Sequence, residues 1–351
     1  MGQIRAILCG YYGKGNGGDE ALLASLLEML PKNVKPIVLS GNPRETKRFY
    51  GVESCDRMSF LSLLQALRRC DVFIWGGGSL MQDATSPVSA IYYGGLMGLA
   101  QGFGLKTIAW AQGIGPLKRP LTQRITKQAF ANCTAVSVRD RASADLLSSW
   151  QIPGFLAPDP VWALTAKSVS GAWDVSIPRV AVTLRSHPQL TPQRLAILTN
   201  ALIEFQSVTK TCILLIPFQA SQDLAIAESI QPKLPGPVHI VSLSDPRELK
   251  GVFRGVSMAI GMRLHSLIMA AAEECRCFAL SYDPKVTELM AEINIPGWKL
   301  EEIPDDANLI ARNWIDYYNN GKGLSKDKIN FWRDRALMHQ ELLKEVCQSN
   351  L

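Results

Sequence analysis

Short apolar runs alternate with amphipathic segments along nearly the whole chain. Residues 4–8, 36–40, 71–75, 106–110 and 135–138 read as buried strands, and each runs out into glycine or polar residues. Between the first two, Leu22, Leu23, Leu26, Leu27 and Leu30 form the stripe of an amphipathic helix, and 59–69 reads as another. A second series follows, with strands at 179–184, 211–216, 238–241, 256–260 and 277–281. The helices between them lie at 192–208, 222–231 and 246–253, and a further one, opened by 262–265, carries Leu264, Leu267, Ile268 and Ala271 on one face.

This alternation predicts an α/β protein of two Rossmann-like, doubly wound parallel-sheet domains facing a cleft. The expected division is 1–165 for the first domain, 166–178 for an aperiodic linker and 179–324 for the second domain. A C-terminal packing helix over 325–351, with Phe331, Trp332, Leu337 and Leu342, completes it. A chain of 351 residues suits two ordinary cores.

Charge and cysteine usage narrow the functions. The net charge of +6 is spread rather than clustered with aromatics, which argues against nucleic acid and suits anionic substrates or an anionic membrane face. The eight cysteines lack paired metal spacing, so they read as reduced core residues and no metal site is expected. The N-terminus enters a strand at once, without a signal-peptide pattern. The weakly apolar region 94–116 is broken by Lys106 and splits into a helix and a strand. A cytoplasmic location is the expectation.

The candidate chemistry lies at strand ends. Arg263 and His265 stand where a strand passes into a helix, the place where open α/β sheets bind ligands and helix N-termini attract anions. Tyr282-Asp283-Pro284-Lys285 ends the next strand and brings a lysine to the same edge. In the first domain the glycine-rich stretch 10–20 supplies Gly13, Asn16, Gly17 and Asp19, in a spacing that fits neither the dinucleotide fingerprint nor a phosphate-binding Walker loop. Asp19 reads equally as a helix cap or as a catalytic carboxylate. Gly77, Ser79 and Asp83 follow the strand at 71–75, and Gln112 follows the strand at 106–110. Arg139 and Arg141 follow the strand at 135–138, and Arg185-Ser186-His187 ends the strand at 179–184.

These pieces in order are GYYGKGNGGDEALL (10–23), WGGGSLMQD (75–83), AQGIGP (111–116), SVRDRAS (137–143), PDPVW (158–162), GMRLHSLIMAAA (261–272) and YDPK (282–285). Together they resemble the polysaccharide pyruvyl transferase family, and within it the bacterial CsaB-type proteins. The resemblance implies a GT-B-like fold and transfer of the enolpyruvyl unit of phosphoenolpyruvate to two hydroxyls of one sugar, giving a pyruvyl ketal and phosphate. It implies Arg139, His265 and Lys285, with Arg263 beside the histidine, as phosphoenolpyruvate ligands. His265 is the expected acid, Asp19 the expected base, and Asp83 the alternative base. Gly13, Asn16, Gly17, Gly77, Ser79 and Gln112 would line the acceptor side. The acceptor would be a mannose-type sugar of a cell-envelope polysaccharide, such as N-acetylmannosamine, with or without a lipid carrier, in a setting near the inner membrane leaflet that allows peripheral contact with it and serves S-layer anchoring. No cofactor beyond the co-substrate is implied. The chain departs from the family pattern at Glu274-Cys275-Arg276, where Gly-Val-Pro is usual, and at Ser186, where an aromatic often follows the arginine. Two other readings share the fold. One is a glycosyltransferase with a nucleotide-sugar donor, its ribose held by Glu288, and the other is a non-catalytic glycan- or phosphate-binding protein.

Overall fold

The structure, a computed structural model, describes residues 3–84, 86–169, 171 and 176–348. Two compact units divide the chain, Met1–Leu164 with Phe331–Leu351, and Thr165–Asn330. Of the expected linker 166–178, residues 170 and 172–175 lie outside the described residues.

The first unit runs β1 (Ile4–Cys9), α1 (Gly17–Met29), β2 (Val34–Ser40), α2 (Pro43–Tyr50), β3 (Glu53–Asp56), α3 (Phe60–Arg68), β4 (Val72–Met81) and α4 (Pro87–Gly102). It continues with β5 (Lys106–Ile114), α5 (Pro120–Ala131), β6 (Ala135–Val138), α6 (Arg141–Ser149) and β7 (Phe155–Leu156). The strands are parallel, in the order β3-β2-β1-β4-β5-β6-β7. Strand β1 shows why its run from Ala6 to Cys9 is apolar. Ile7 and Cys9 pack in one core with Leu63, Phe73 and Trp75, while Ala6 and Leu8 pack in another with Leu23, Leu26 and Leu343. Helices cover both faces of the strand, and its one polar position, Arg5 near the start, reaches out to pair with Glu53.

The second unit runs β8 (Arg179–Thr183), α7 (Pro192–Thr209), β9 (Cys212–Leu215), α8 (Ala220–Ile230), β10 (Val238–Ile240), α9 (Pro246–Gly251), β11 (Val256–Gly261) and α10 (Leu264–Ala272). It ends with β12 (Arg276–Ser281), α11 (Pro284–Ile293), β13 (Gly297–Lys299) and α12 (Ala307–Asn320). This sheet is also parallel, in the order β10-β9-β8-β11-β12-β13, around a core that includes Val180, Phe205, Ile260 and Trp314. Both sheets are doubly wound. Their strand order reverses between β1 and β4 in the first unit and between β8 and β11 in the second.

Several elements differ from the sequence reading. Helix α2 and strand β3 were not expected, because α2 is nearly all polar with Thr46 its buried residue and β3 is a partly exposed edge strand. Strands β4 and β5 run on through the glycines that read as loops, since the ladder between them continues past a register shift at Gly78–Met81. The expected last helix is two, α13 (Lys326–Ala336) and α14 (Met338–Gln348).

Helix α14 closes the first unit. His339 is fully buried, with Nε2 3.0 Å from the Pro158 carbonyl and Nδ1 2.9 Å from Ser137 Oγ. A carbonyl only accepts, so Nε2 carries the proton and Nδ1 accepts from the serine. Burial pushes the imidazole down to about 4, so it is neutral at physiological pH.

Candidate active site

At the carboxyl edge of the first sheet, the turn after β1 and the helix α1 are set by three polar side chains. Asn16 caps α1, its Oδ1 accepting from Gly18 N at 3.0 Å. That leaves Asp19 in the first helical turn and not at the cap. A Cβ at Gly78 would stand 3.5 Å from Asp19 Oδ1, so this carboxylate lies against the β4 glycines, at the switch point between β1 and β4. Glu20 holds the loop from below, accepting from Gly13 N at 2.8 Å and from Tyr50 Oη at 3.1 Å. Burial pushes its carboxyl up to about 7, against the Gly13 hydrogen bond.

Several glycines and polar groups of this edge serve the fold itself. Tyr12 is buried and its hydroxyl donates to the Gly76 carbonyl; a Cβ at Gly10 or Gly76 would collide with its ring or hydroxyl. A Cβ at Gly77 would meet Leu22 at 2.9 Å. Gln112, expected at the acceptor edge, is fully buried and donates to the Trp110 carbonyl at 3.0 Å. Asp83, the alternative base, is buried as well. It accepts from Thr122 Oγ1 at 2.6 Å and from the Lys118 and Arg119 amides at 2.8 and 2.9 Å. These bonds, the threonine's first, hold its carboxyl below the usual range, which gives it the work of pinning the α5 entry. Arg139 is buried in an ion pair with Asp159 at 2.6 Å and donates to Ser79 Oγ at 3.2 Å. Its neighbour Arg141 is exposed and pairs with Asp145 along α6.

The second sheet's edge is lined by cations. Arg185 follows β8, its Nη1 2.8 Å from Tyr282 Oη and its guanidinium over the Tyr282 ring. His187 packs against the same ring at 4.8 Å, and burial, then Arg185, lowers its pKa. Arg263 follows β11 but is buried, with a two-pronged pair of bonds to Asp223 of α8 at 2.8 and 2.7 Å. The sequence reading sought this cation's partner in a ligand. The chain supplies it from 40 positions away, beyond the reach of local spacing.

His265 and Lys285 remain half-buried at the edge. Each is the second residue of a helix, α10 or α11, and those helices follow the neighbouring strands β11 and β12. Asp283 caps α11 by accepting from Lys285 N at 3.0 Å. Such an edge, with adjacent helix N-termini, a lysine and an imidazole, suits an anion.

The comparisons place this architecture. The chain is similar in fold to a UDP-GlcNAc 2-epimerase from Methanocaldococcus jannaschii, with a TM-score of 0.66, 10% identity, and 98% of this chain and 99% of that one covered. It is also similar to a glycosyltransferase from Rickettsia africae (TM-score 0.56, 12% identity, both chains covered in full) and to MurG of Acinetobacter baumannii (0.52, 9%, 99% and 100%). Two parallel-sheet α/β units with these neighbours define a GT-B-like protein. The sequence pattern of the polysaccharide pyruvyl transferases matches residues 16–284, and the chain belongs to that family of transferases. No curated protein matches it.

Proposed function

We propose that the chain is a phosphoenolpyruvate-dependent ketal pyruvyl transferase of the CsaB type. It acts on a mannose-type sugar of a cell-envelope polysaccharide precursor. The observation that carries this reading is the placement of His265 and Lys285 at the starts of helices after adjacent strands β11 and β12. Phosphoenolpyruvate presents a carboxylate and a phosphate, and this edge offers side-chain cations and backbone N–H groups for both. His265 gives a proton to the methylene carbon, and C2 becomes an oxocarbenium-like centre. One sugar hydroxyl attacks C2 and loses its proton, Asp19 being the base proposed for it. The second hydroxyl then displaces phosphate, which leaves with the C2–O bond electrons, and the ketal closes as that hydroxyl's proton returns to His265 and the proton on Asp19 passes to phosphate. Arg263 and Arg139, held in buried ion pairs, act by fixing the edges on which the reacting groups stand.

The test is thermal stability with phosphoenolpyruvate, UDP-sugars and GDP-sugars, on wild type, His265→Ala and Lys285→Ala. These two substitutions leave both buried ion pairs intact. Phosphoenolpyruvate at a hundred times its dissociation constant should add about 2.7 kcal/mol to wild type. Lys285→Ala should lose that gain. Stabilisation by a nucleotide-sugar alone would sink the proposal in favour of a glycosyltransferase.

A further inference from the structure

The layer of α3, α4 and α5 on one face of the first sheet has a surface unlike that of a helix meant for water. Helix α4 carries no charged residue over its 16 positions, PVSAIYYGGLMGLAQG. Its exposed positions are Val88, Ile91, Gly95, Gly98, Leu99 and Gly102, so its outward face is apolar like its inward one, and exposed Phe103 follows it. Exposed apolar residues continue to either side, with Met58, Phe60 and Leu61 at the start of α3 and Leu121 on α5. Their exposures run from 60% at Leu121 to 74% at Met58.

The three helices form one surface. Their inward residues share a core, including Leu63 and Leu67 of α3, Tyr93 and Met97 of α4, and Ala129 and Phe130 of α5. Gly94 lets α4 close on α5, since a Cβ there would stand 2.4 Å from Ile125. Arg57, just before α3, donates to Tyr93 Oη at 3.0 Å while Tyr92 Oη donates to its carbonyl at 2.7 Å, tying α3 to α4.

The charge on this layer has one sign. No acid occurs between Asp56 and Asp71 or between Asp83 and Asp140, so α3, α4 and α5 carry none. Arg68, Lys118, Arg119, Arg124 and Lys127 are exposed on the helices or at their ends. The bordering acids are engaged by backbone, Asp56 by Met58 N and Asp83 by Lys118 and Arg119 N. Large exposed apolar patches mark interaction sites, and an apolar centre with a cationic border matches a bilayer with anionic headgroups. A second copy of the chain fits less well, because a two-fold pairing would face these cations with their own copies.

We infer that the α3–α4–α5 face of the first unit docks on anionic lipid membrane. The side chains of α4 enter the headgroup boundary, and Arg68, Lys118, Arg119, Arg124 and Lys127 meet lipid phosphates. The inference stands on this surface alone and needs no particular donor or acceptor.

Flotation with vesicles tests it, comparing phosphatidylcholine alone with phosphatidylcholine containing a third phosphatidylglycerol, at low and high salt. Wild type should float with the anionic vesicles and be released by salt. Arg124→Ser/Lys127→Ser should weaken partition on the order of 30-fold. Ile91→Glu/Leu99→Glu, both at exposed positions, should weaken it at least as much, while thermal melts without lipid stay near wild type. Wild type that stays unbound at low salt overturns the inference. So does a wild-type dimer that Ile91→Glu/Leu99→Glu turns into a monomer without any change in vesicle binding. Because no substrate enters the assay, its failure is separable from failure of the phosphoenolpyruvate test.

Discussion

The carboxyl edges of the two sheets are built alike and charged differently. Each has its strand-order reversal at the centre, and each has a buried Arg–Asp pair beside it, Arg139–Asp159 in the first unit and Arg263–Asp223 in the second. The first edge carries Asp19 and Glu20 beside tightly packed glycines, with Arg57 donating to the Gly10 carbonyl. The second carries Arg185, His187, His265 and Lys285. The topology thus supplies the location twice, and the side chains at each edge decide what it can hold.

Removing the anion of either pair tests this division most severely. Asp223→Ala would leave Arg263 buried and uncompensated, at a cost of roughly 3–5 kcal/mol. Asp159→Ala should fall toward the lower end, because Arg139 keeps Ser79 Oγ at 3.2 Å. Denaturant unfolding of the single variants, and of Arg263→Leu/Asp223→Leu as the apolar replacement, measures both. The double variant should recover most of the loss. If Asp223→Ala were as stable as wild type, Arg263 would not depend on Asp223 and would return to the set of anion ligands.

The pairs also mark how far the sequence could be read. Both series of strands, and the motifs at their ends, were legible because each buried strand is a continuous apolar run. The sheet edges at α2 and β3 were not, since a polar helix on a half-exposed strand has no apolar signature. Among the site residues, position along the sheet was legible and engagement was not. Arg263, Arg139, Asp83 and Gln112 all lie near the strand ends where the sequence put them, but each is taken up by the protein itself. Their partners Asp223, Asp159, Thr122 and the Trp110 carbonyl follow from the fold. Only the Trp110 carbonyl is close enough in sequence to have been found by spacing. Glu20 was visible as a polar group at a helix start, but its hold on the Gly13 amide needed the loop's conformation.

Within the first unit, acid should weaken the anchorage of α14 through His339, while Glu20, whose carboxyl burial raises to about 7, acts in the opposite sense. His339 titrates near 6.5 when unfolded and at about 4 when folded, so between those values the unfolded chain holds more protons. Its contribution is complete above pH 6.5 and is lost as pH falls toward 4. That shift of about 2.5 pKa units corresponds to about 3 kcal/mol. Unfolding followed by amide exchange at pH 7 and pH 5 should show the loss around Ser137 and Pro158. His339→Gln should flatten the pH dependence at a lower overall stability. Exchange around Ser137 that did not change between the two pH values would overturn it.

The smallest effects separate a glycine that packs from one that does not. Gly76 faces Tyr12 Oη at 2.2 Å and Leu26 at 2.6 Å for an added Cβ, so Gly76→Ala must push a buried ring and an α1 side chain. Overpacking of that kind costs roughly 1–3 kcal/mol. Gly15 has a φ of +65° and nothing within 4 Å of an added Cβ. Gly15→Ala therefore carries only the backbone penalty of a left-handed conformation, about 1 kcal/mol. Melting temperatures of the two variants should rank them in that order. A Gly15→Ala variant that melted well below Gly76→Ala would show that this loop is packed after all.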